Sequence, residues 1–351
     1  MKKILTVLIP VYNTEKYIKR CLDSLLLKET NSDVELLIVS DGSKDNSVNI
    51  IKEYVKVYPE TIRLIEKENA GHGSTINVGI KEAKGKYFKV IDSDDWVNSI
   101  DFITFVSRLK KETADLVVTN YTQEHIYKGE TIYNEYSGLT ENILYDFDKI
   151  DLNILKGEYF VMATSTYKTS ILKSSNLHLM EKTFYVDMQY NVVPITEVNT
   201  FTYYNLDIYR YFIGRLDQSV NTSSFVRNKL HHEKVLKFLI EFYEDNKRKL
   251  SVNKKRYIKM IINYTLYTHY NIFCSYDTSK KEATKQIKEF DKYLKEKSIK
   301  LYLESDKMAY TKMHRKPNFY FVKHSPRLYT KLLSFSSIIY IHYSNSYSVC
   351  P

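Results

Sequence analysis

The strongest constraint in this sequence is an alternation. Through the first 120 residues, short runs rich in Val, Ile and Leu take turns with segments whose apolar residues recur at helical spacing. The runs lie at Ile4–Pro10, Val34–Val39, Ile62–Ile65, Tyr87–Ile91 and Leu116–Val118. Between them come Ile18, Leu22, Leu25 and Leu26, then Val48, Ile51, Tyr54 and Val55. Strands apolar on both sides, separated by helices, predict an α/β fold: a mostly parallel, Rossmann-like sheet with helices on both faces. Asp45 stands where the second of these helices needs an N-cap.

In such sheets, chemistry gathers beyond the C-terminal ends of the strands. The first strand ends at Pro10-Val11-Tyr12-Asn13 and the second at Ser40-Asp41-Gly42-Ser43. The third runs into Asn69-Ala70-Gly71-His72-Gly73, and the fourth ends at Asp92-Ser93-Asp94-Asp95. Three carboxylates in four residues repel one another unless a cation or hydrogen bonds compensate. Mg²⁺ or Mn²⁺ takes such a carboxylate pair when substrate phosphates supply its other oxygens. The plainer alternative is a solvated acidic turn before a helix starting near Asn98; Asp41 at the neighbouring strand end favours the cation.

Taken together, these blocks, with Asn77, Gly79 and Trp96, resemble the family 2 glycosyltransferases of the GT-A fold. The resemblance is strong over residues 1–125 and recognisable to about 225. It implies an inverting enzyme that moves a sugar from a nucleotide-sugar donor, expected to be UDP-linked, to an acceptor hydroxyl. By the same resemblance Pro10, Tyr12 and Asp41 hold the nucleobase and ribose, with Asp41 on the uracil. Asn69, Gly71 and Asn77 belong to the donor site. Asp92 sits near ribose and metal, and Asp94 ligates the Mn²⁺ or Mg²⁺ that bridges the diphosphate. An Arg that often precedes the Asn of the third block is Ile76 here, and His72 or Lys89 are its candidate replacements. The family's general base corresponds to Asp187, in an apolar and aromatic stretch that would raise its pKa; as a residue opening a helix it also suits an N-cap. Arg210-Tyr211 through Gly214-Arg215 to Gln218-Ser219 resembles a closing loop that would bring Arg215 and Gln218 to the donor or acceptor; a plain basic loop is the alternative.

Beyond residue 120 the pattern loosens into shorter aromatic segments, and from about 230 it becomes helical, as in His231–Asn246, Lys254–Phe273 and Lys280–Lys297. The expected organisation is a catalytic domain over 1–225, with a donor half at 1–125 and an acceptor half at 126–225, then a mainly α-helical region over 226–351. Charge follows this division. Residues 231–351 hold 24 Lys and Arg against 11 Asp and Glu, a net of +13, whereas the first 230 carry −3. Such asymmetry points to an anionic partner for the tail. One expectation is an anionic membrane surface met through the lysines and the apolar residues of 327–333 and 337–343; packing on the body or self-association is the other.

Cys21, Cys274 and Cys350 lack disulfide or zinc spacing, which favours a reducing compartment. The N-terminal apolar run reads as a buried strand, not a signal peptide, and no stretch approaches a membrane span. These features suggest a cytoplasmic protein, peripheral at the inner membrane face, acting on a glycan or lipid-linked acceptor. A dinucleotide-binding oxidoreductase is disfavoured because no Gly-x-Gly-x-x-Gly follows strand one, and a P-loop is absent. A sugar-nucleotide nucleotidyltransferase shares the fold and metal logic but usually carries a glycine-rich basic loop after strand one. Nucleic acid is not an expected partner, since no nucleic-acid module is recognisable; a non-catalytic glycan-binding relative would not need both Asp94 and Asp187.

Overall fold

The computed structural model describes residues 3–214, 218, 221–320 and 322. It divides into two compact units: residues to Leu155 with Phe160–Gly214, and Lys156–Tyr159 with the described residues from Gln218 onward.

The first unit opens as expected. Strands β1 (Leu5–Val11), β2 (Val34–Asp41), β3 (Ile62–Lys67) and β4 (Tyr87–Val90) alternate with helices α1 (Ile18–Leu25), α2 (Ser47–Val57) and α3 (His72–Glu82). They pair in parallel, β3-β2-β1-β4, with Leu5 opposite Val34 and Tyr87, and Leu36 opposite Ile62. Every residue of β1 and β2 is buried. Since successive side chains point to opposite faces, both faces of these strands are covered. Burying each Leu, Ile or Val there contributes ~1.5–3 kcal/mol. Pro10 fits because β4 pairs with β1 only as far as Leu8, so its missing N–H leaves no gap on that side.

The second half of the sheet departs from the parallel expectation. After β5 (Trp96–Val97) and α4 (Ser99–Leu109), capped by Asn98, come β6 (Leu116–His125), β7 (Glu130–Asn134), β8 (Leu144–Asp146) and β9 (Ser165–Lys168). Helices α5 (Thr169–Ser174) and α6 (Asp187–Val192) follow, then the 13-residue β10 (Thr200–Phe212). β9 enters antiparallel between β4 and β6, β10 runs parallel to β6, and β5 closes the order β3-β2-β1-β4-β9-β6-β10-β5. The long β10 lies where the sequence suggests only short segments. Two register shifts against β6, around Asp207, and a sequence that mixes Tyr, Asn, Asp and Arg hide its period of two.

The second unit is helical, as its spacing predicts: α7 (Thr222–Arg227), α8 (Lys229–Asn246), α9 (Val252–Asn271), α10 (Lys280–Lys297), α11 (Ile299–Ser305) and α12 (Ala309–Arg315). α9 runs on through a π-turn at Ile272–Tyr276. Leu239, Ile240, Tyr257, Ile261, Ile262, Leu266, Ile287, Phe290 and Leu294 form its core. Buried ion pairs sit at its ends, Lys229 on Asp277 at 2.6 Å and Arg315 on Asp291 at 2.7 Å. Among the described residues no helix is long and apolar enough to cross a membrane.

Candidate active site

The loops after β1 and β2 are latched to each other. Asn13, in the left-handed region at φ +53°, accepts from the Lys44 N–H at 2.7 Å, and the Thr14 N–H donates to Ser47 Oγ at 2.9 Å. Asp45 and Glu15 exchange contacts across the same seam, each accepting a backbone N–H from the other's loop at 2.9 Å. Asp45 also accepts from the Ser47 N–H and hydroxyl, while the residue in the N-cap position of α2 is Asn46, whose side chain caps nothing. The latch leaves Tyr12 projecting, 51% exposed, beyond buried Pro10.

Asp41 ends β2 and is nearly sealed. Its carboxylate accepts from the Ala70 N–H at 2.9 Å, the Gly71 N–H at 2.7 Å and the Lys67 ammonium at 2.6 Å. A buried carboxylate with three such donors is well compensated, and it fixes the path of the third block. Gly42 and Gly71, at φ +72° and +89°, serve the same path. A Cβ on Gly42 would stand 3.0 Å from Asn69 N, and one on Gly71 2.9 Å from Lys182 N. Asn69 itself is exposed.

β4 delivers the acidic turn, and its three carboxylates part ways. Asp95 is buried; its carboxyl accepts from the Phe212 N–H at 2.8 Å and the Tyr209 hydroxyl at 2.5 Å. Burial, with Asp94 and Asp92 alongside, pushes the Asp95 carboxyl well above the usual range. Asp95 thus pins the turn to β10. The turn's backbone is held as well: Arg20 of α1 donates to the Asp94 carbonyl at 2.9 Å, with its guanidinium 3.7 Å above the Trp96 ring. Asp92, about a third exposed, lies 3.0 Å from His72 Nε2.

His72 is the first residue of α3 and Ile76 lies one turn further on, fully buried in the core. The position where an Arg was expected therefore faces the interior. Of the two candidate substitutes, Lys89 is buried within β4, donating to the Ala163 carbonyl at 2.6 Å, and burial pulls its ammonium down to about 7. His72 alone stands at the carboxylates. Burial lowers its pKa, but Asp92, Asp187 and Asp94 outweigh that and raise it overall.

Asp187 opens α6, with Val186 in the cap position, so its side chain lies inside the first turn and not at the N-cap. Burial raises its carboxyl to about 6, opposed by His72 and by the N–H groups of Asp187 and Met188, and assisted by Asp92. The segment leading to it is seated on the third block. The Asn77 amide grips Leu179 from both sides, Nδ2 to the carbonyl at 2.9 Å and Oδ1 from the N–H at 2.8 Å. The Lys182 N–H donates to the Ala70 carbonyl at 2.6 Å. Lys182 and Tyr185 both adopt positive φ, +49° and +66°, a strained approach of the kind that collects at functional sites.

The structure thus brings Asp92, His72 and Asp187 into one electrostatic neighbourhood, with Asp94 on the same turn. Asn77 is committed to Leu179. Gln218 is buried within the second unit, and Arg215 lies outside the described residues. Sequence reading missed Arg20, Tyr209 and Phe212, which fix the acidic turn. No local signal marked them, since β10 hides its period of two and Arg20 reaches the turn from α1.

Residues 6–174 match the family described as glycosyl transferase family 2. Among curated relatives, the putative glycosyltransferase EpsH of Bacillus subtilis (strain 168) is 40% identical over 127 residues, 36% of each chain. Glycosyltransferase GlyA of Streptococcus pneumoniae serotype 4 is 38% identical over 117 residues, 33% of this chain and 16% of that one. The chain therefore spans well under half the length of these relatives. Among solved structures, S. aureus TarS 1–349 in complex with UDP-GlcNAc superposes with a TM-score of 0.64 at 17% identity, covering 93% of this chain and 92% of that one. That likeness is one of fold, the GT-A fold. The likeness to glycosyl transferase family 2 is thus carried by residues 6–174, just under half of the chain.

Proposed function

We propose that the protein transfers a hexosyl or N-acetylhexosaminyl group from a UDP-sugar to an acceptor hydroxyl with inversion, in building a cell-surface polysaccharide or glycoconjugate from the cytoplasmic side. The observation that carries this reading is the meeting of Asp187, held near pKa 6, with the Asp92–Asp94 turn across His72. A base poised there is ionised at neutral pH yet strong enough to take a hydroxyl proton during attack. The proton of the acceptor hydroxyl passes to the Asp187 carboxylate as its oxygen bonds to the anomeric carbon. The bond from that carbon to the diphosphate breaks on the opposite face, and UDP leaves.

The donor's base and ribose lie along Pro10 and the exposed Tyr12 ring in this reading. Asp41 acts through the loop it holds, since its carboxylate is already engaged. Asn69 is exposed beside that loop, Gly71 supplies close backbone approach, and His72 takes the diphosphate contact that Ile76 lacks. Gln218 and Arg215 are assigned by resemblance alone. Asp94 and Asp92 would hold Mn²⁺ or Mg²⁺. The donor set fits: with Asp95 diverted, two carboxylates remain, and among the described residues no group of three or more His, Cys, Asp or Glu is poised to bind a metal alone. A hard cation there would need phosphate oxygens to complete its shell, and it would neutralise charge on the departing diphosphate.

The test is thermal stabilisation by UDP, with and without Mn²⁺, in wild type and Asp94→Ala, paired with a transfer assay on UDP-sugars. We expect metal-dependent stabilisation in wild type only, and transfer by Asp94→Ala at background. Equal stabilisation in all four arms overturns the metal assignment, and a preference for GDP- or dTDP-sugars overturns the donor.

A further inference from the structure

Helix α10 carries a stripe of like charge that the transfer reaction does not use. Lys281, Lys285, Lys288, Lys292 and Lys295 recur at intervals of four, three, four and three, and all five are exposed. At 100° per residue they fall within an arc of about 80°, along about 21 Å of helix. The opposite side is spent on the core through Ala283, Ile287, Phe290 and Leu294. Among the described residues, Lys281, Lys285 and Lys288 have no carboxylate partner. Lys292 reaches Glu296 only at 3.8 Å, with both side chains largely in solvent. The exposed acids Glu282, Glu289 and Glu296 form a separate neighbouring stripe, so one edge of the helix is uniformly positive.

Exposed apolar residues follow the stripe in the sequence. Lys295 lies 5.6 Å from the Tyr302 ring centroid, tying the end of α10 to α11. On α11, Ile299 and Leu303 stand one turn apart, 53% and 57% exposed, with the exposed Lys300 between them. Aliphatic residues held in water beside a row of lysines cost free energy unless something covers them.

We propose that the α10–α11 edge docks on an anionic lipid leaflet, the lysines meeting headgroups and Ile299 and Leu303 entering the interface. Charge complementarity selects the partner, and the aliphatic pair distinguishes it: nucleic-acid phosphates would satisfy the lysines but give Ile299 and Leu303 nothing to enter. A protein held there would meet a lipid-linked acceptor in two dimensions. That consequence rests on the transfer reading, whereas the docking itself does not.

The experiment is vesicle flotation of the full chain, using phosphatidylcholine alone or mixed with phosphatidylglycerol. Three proteins are compared: wild type, a fourfold variant (Lys281→Glu, Lys285→Glu, Lys288→Glu, Lys292→Glu) and a double variant (Ile299→Ser, Leu303→Ser). Wild type should float only with phosphatidylglycerol and be released by salt. The fourfold variant should lose at least about tenfold in binding, since each lysine near such a surface is worth roughly fivefold. The double variant should be released at a lower salt concentration than wild type. Circular dichroism and transfer to a soluble acceptor should be unchanged in both variants. Flotation of the fourfold variant equal to wild type would place the contact elsewhere and overturn the proposal. So would wild-type binding indifferent to lipid charge, or duplex DNA binding without vesicle binding. Absent transfer activity with intact flotation would sink the enzymatic reading instead.

Discussion

The two units share buried, paired carboxylates but differ in what else they bury. In the first, buried carboxylates are surrounded by donors placed for them: Asp41 by two backbone N–H groups and Lys67, Asp95 by Tyr209 and Phe212, and Glu35 by Thr6, Arg63 and the Lys84 N–H. In the second, the buried titratable groups include three imidazoles, His232, His269 and His314. His232 and His269 stack at 5.4 Å with their Nδ1 atoms 3.3 Å apart, and burial pulls His232 down to about 3 and His314 to about 4. The lesson is about what each unit uses burial for. The sheet unit uses hydrogen bonds to fix its strand-end loops, whereas the helical unit also uses histidine as a flat, uncharged filler between helices.

The sharpest way to break that contrast is at Asp187. Asp187→Asn keeps the shape but cannot take a proton, so kcat should fall ~10²–10⁴-fold with donor affinity nearly unchanged. Its melting temperature should hold or rise, because wild type carries a partly buried charge there at pH 7. Retention of more than about a tenth of the activity would move the base elsewhere. In wild type, kcat should climb with pH through about 6 as Asp187 ionises.

Acid should then separate the units. An imidazole depressed in the folded state contributes its full stability above its ordinary pKa near 6.5. That contribution is lost as pH falls through the window between 6.5 and the folded value, about 3 for His232 and about 4 for His314. The loss is about 1.4 kcal/mol per pH unit for each such group. Between pH 7 and pH 5 the helical unit should lose ~10 °C in melting temperature, and the double variant His232→Leu, His269→Leu should lose much less. An acid response unchanged in that variant would show that these imidazoles do not govern it.

The smallest effect expected is at Asn77. Asn77→Ala removes both hydrogen bonds to Leu179 and should cost ~1–3 kcal/mol, with a modest fall in kcat from a looser approach to Asp187. A large stability loss without any change in kcat would mean that the clasp does not position the base.

The parallel half of the sheet and its edge were readable because each strand is apolar on both faces and each ends in a compact polar block. Asp187 was readable only through resemblance. What escaped reading was long-range partnership: Asp95 and Phe212 are 117 residues apart, and Asn77 and Leu179 are 102 apart, so no local pattern announces them. Asp41 shows the same limit, since its position at a strand end could be read but not the donors that occupy it. The bulged, mixed composition of β10 hid the strand on which Tyr209 and Phe212 sit.

Trp96 is the sole tryptophan of the chain, placed directly after the Asp92–Asp95 turn with the Arg20 guanidinium on its ring. Indole emission excited at the red edge therefore reports on one place only, and a cation stacked at 3.7 Å makes that emission sensitive to small shifts of the turn. The protein carries its own optical gauge of movement in that turn, readable by titration without a label.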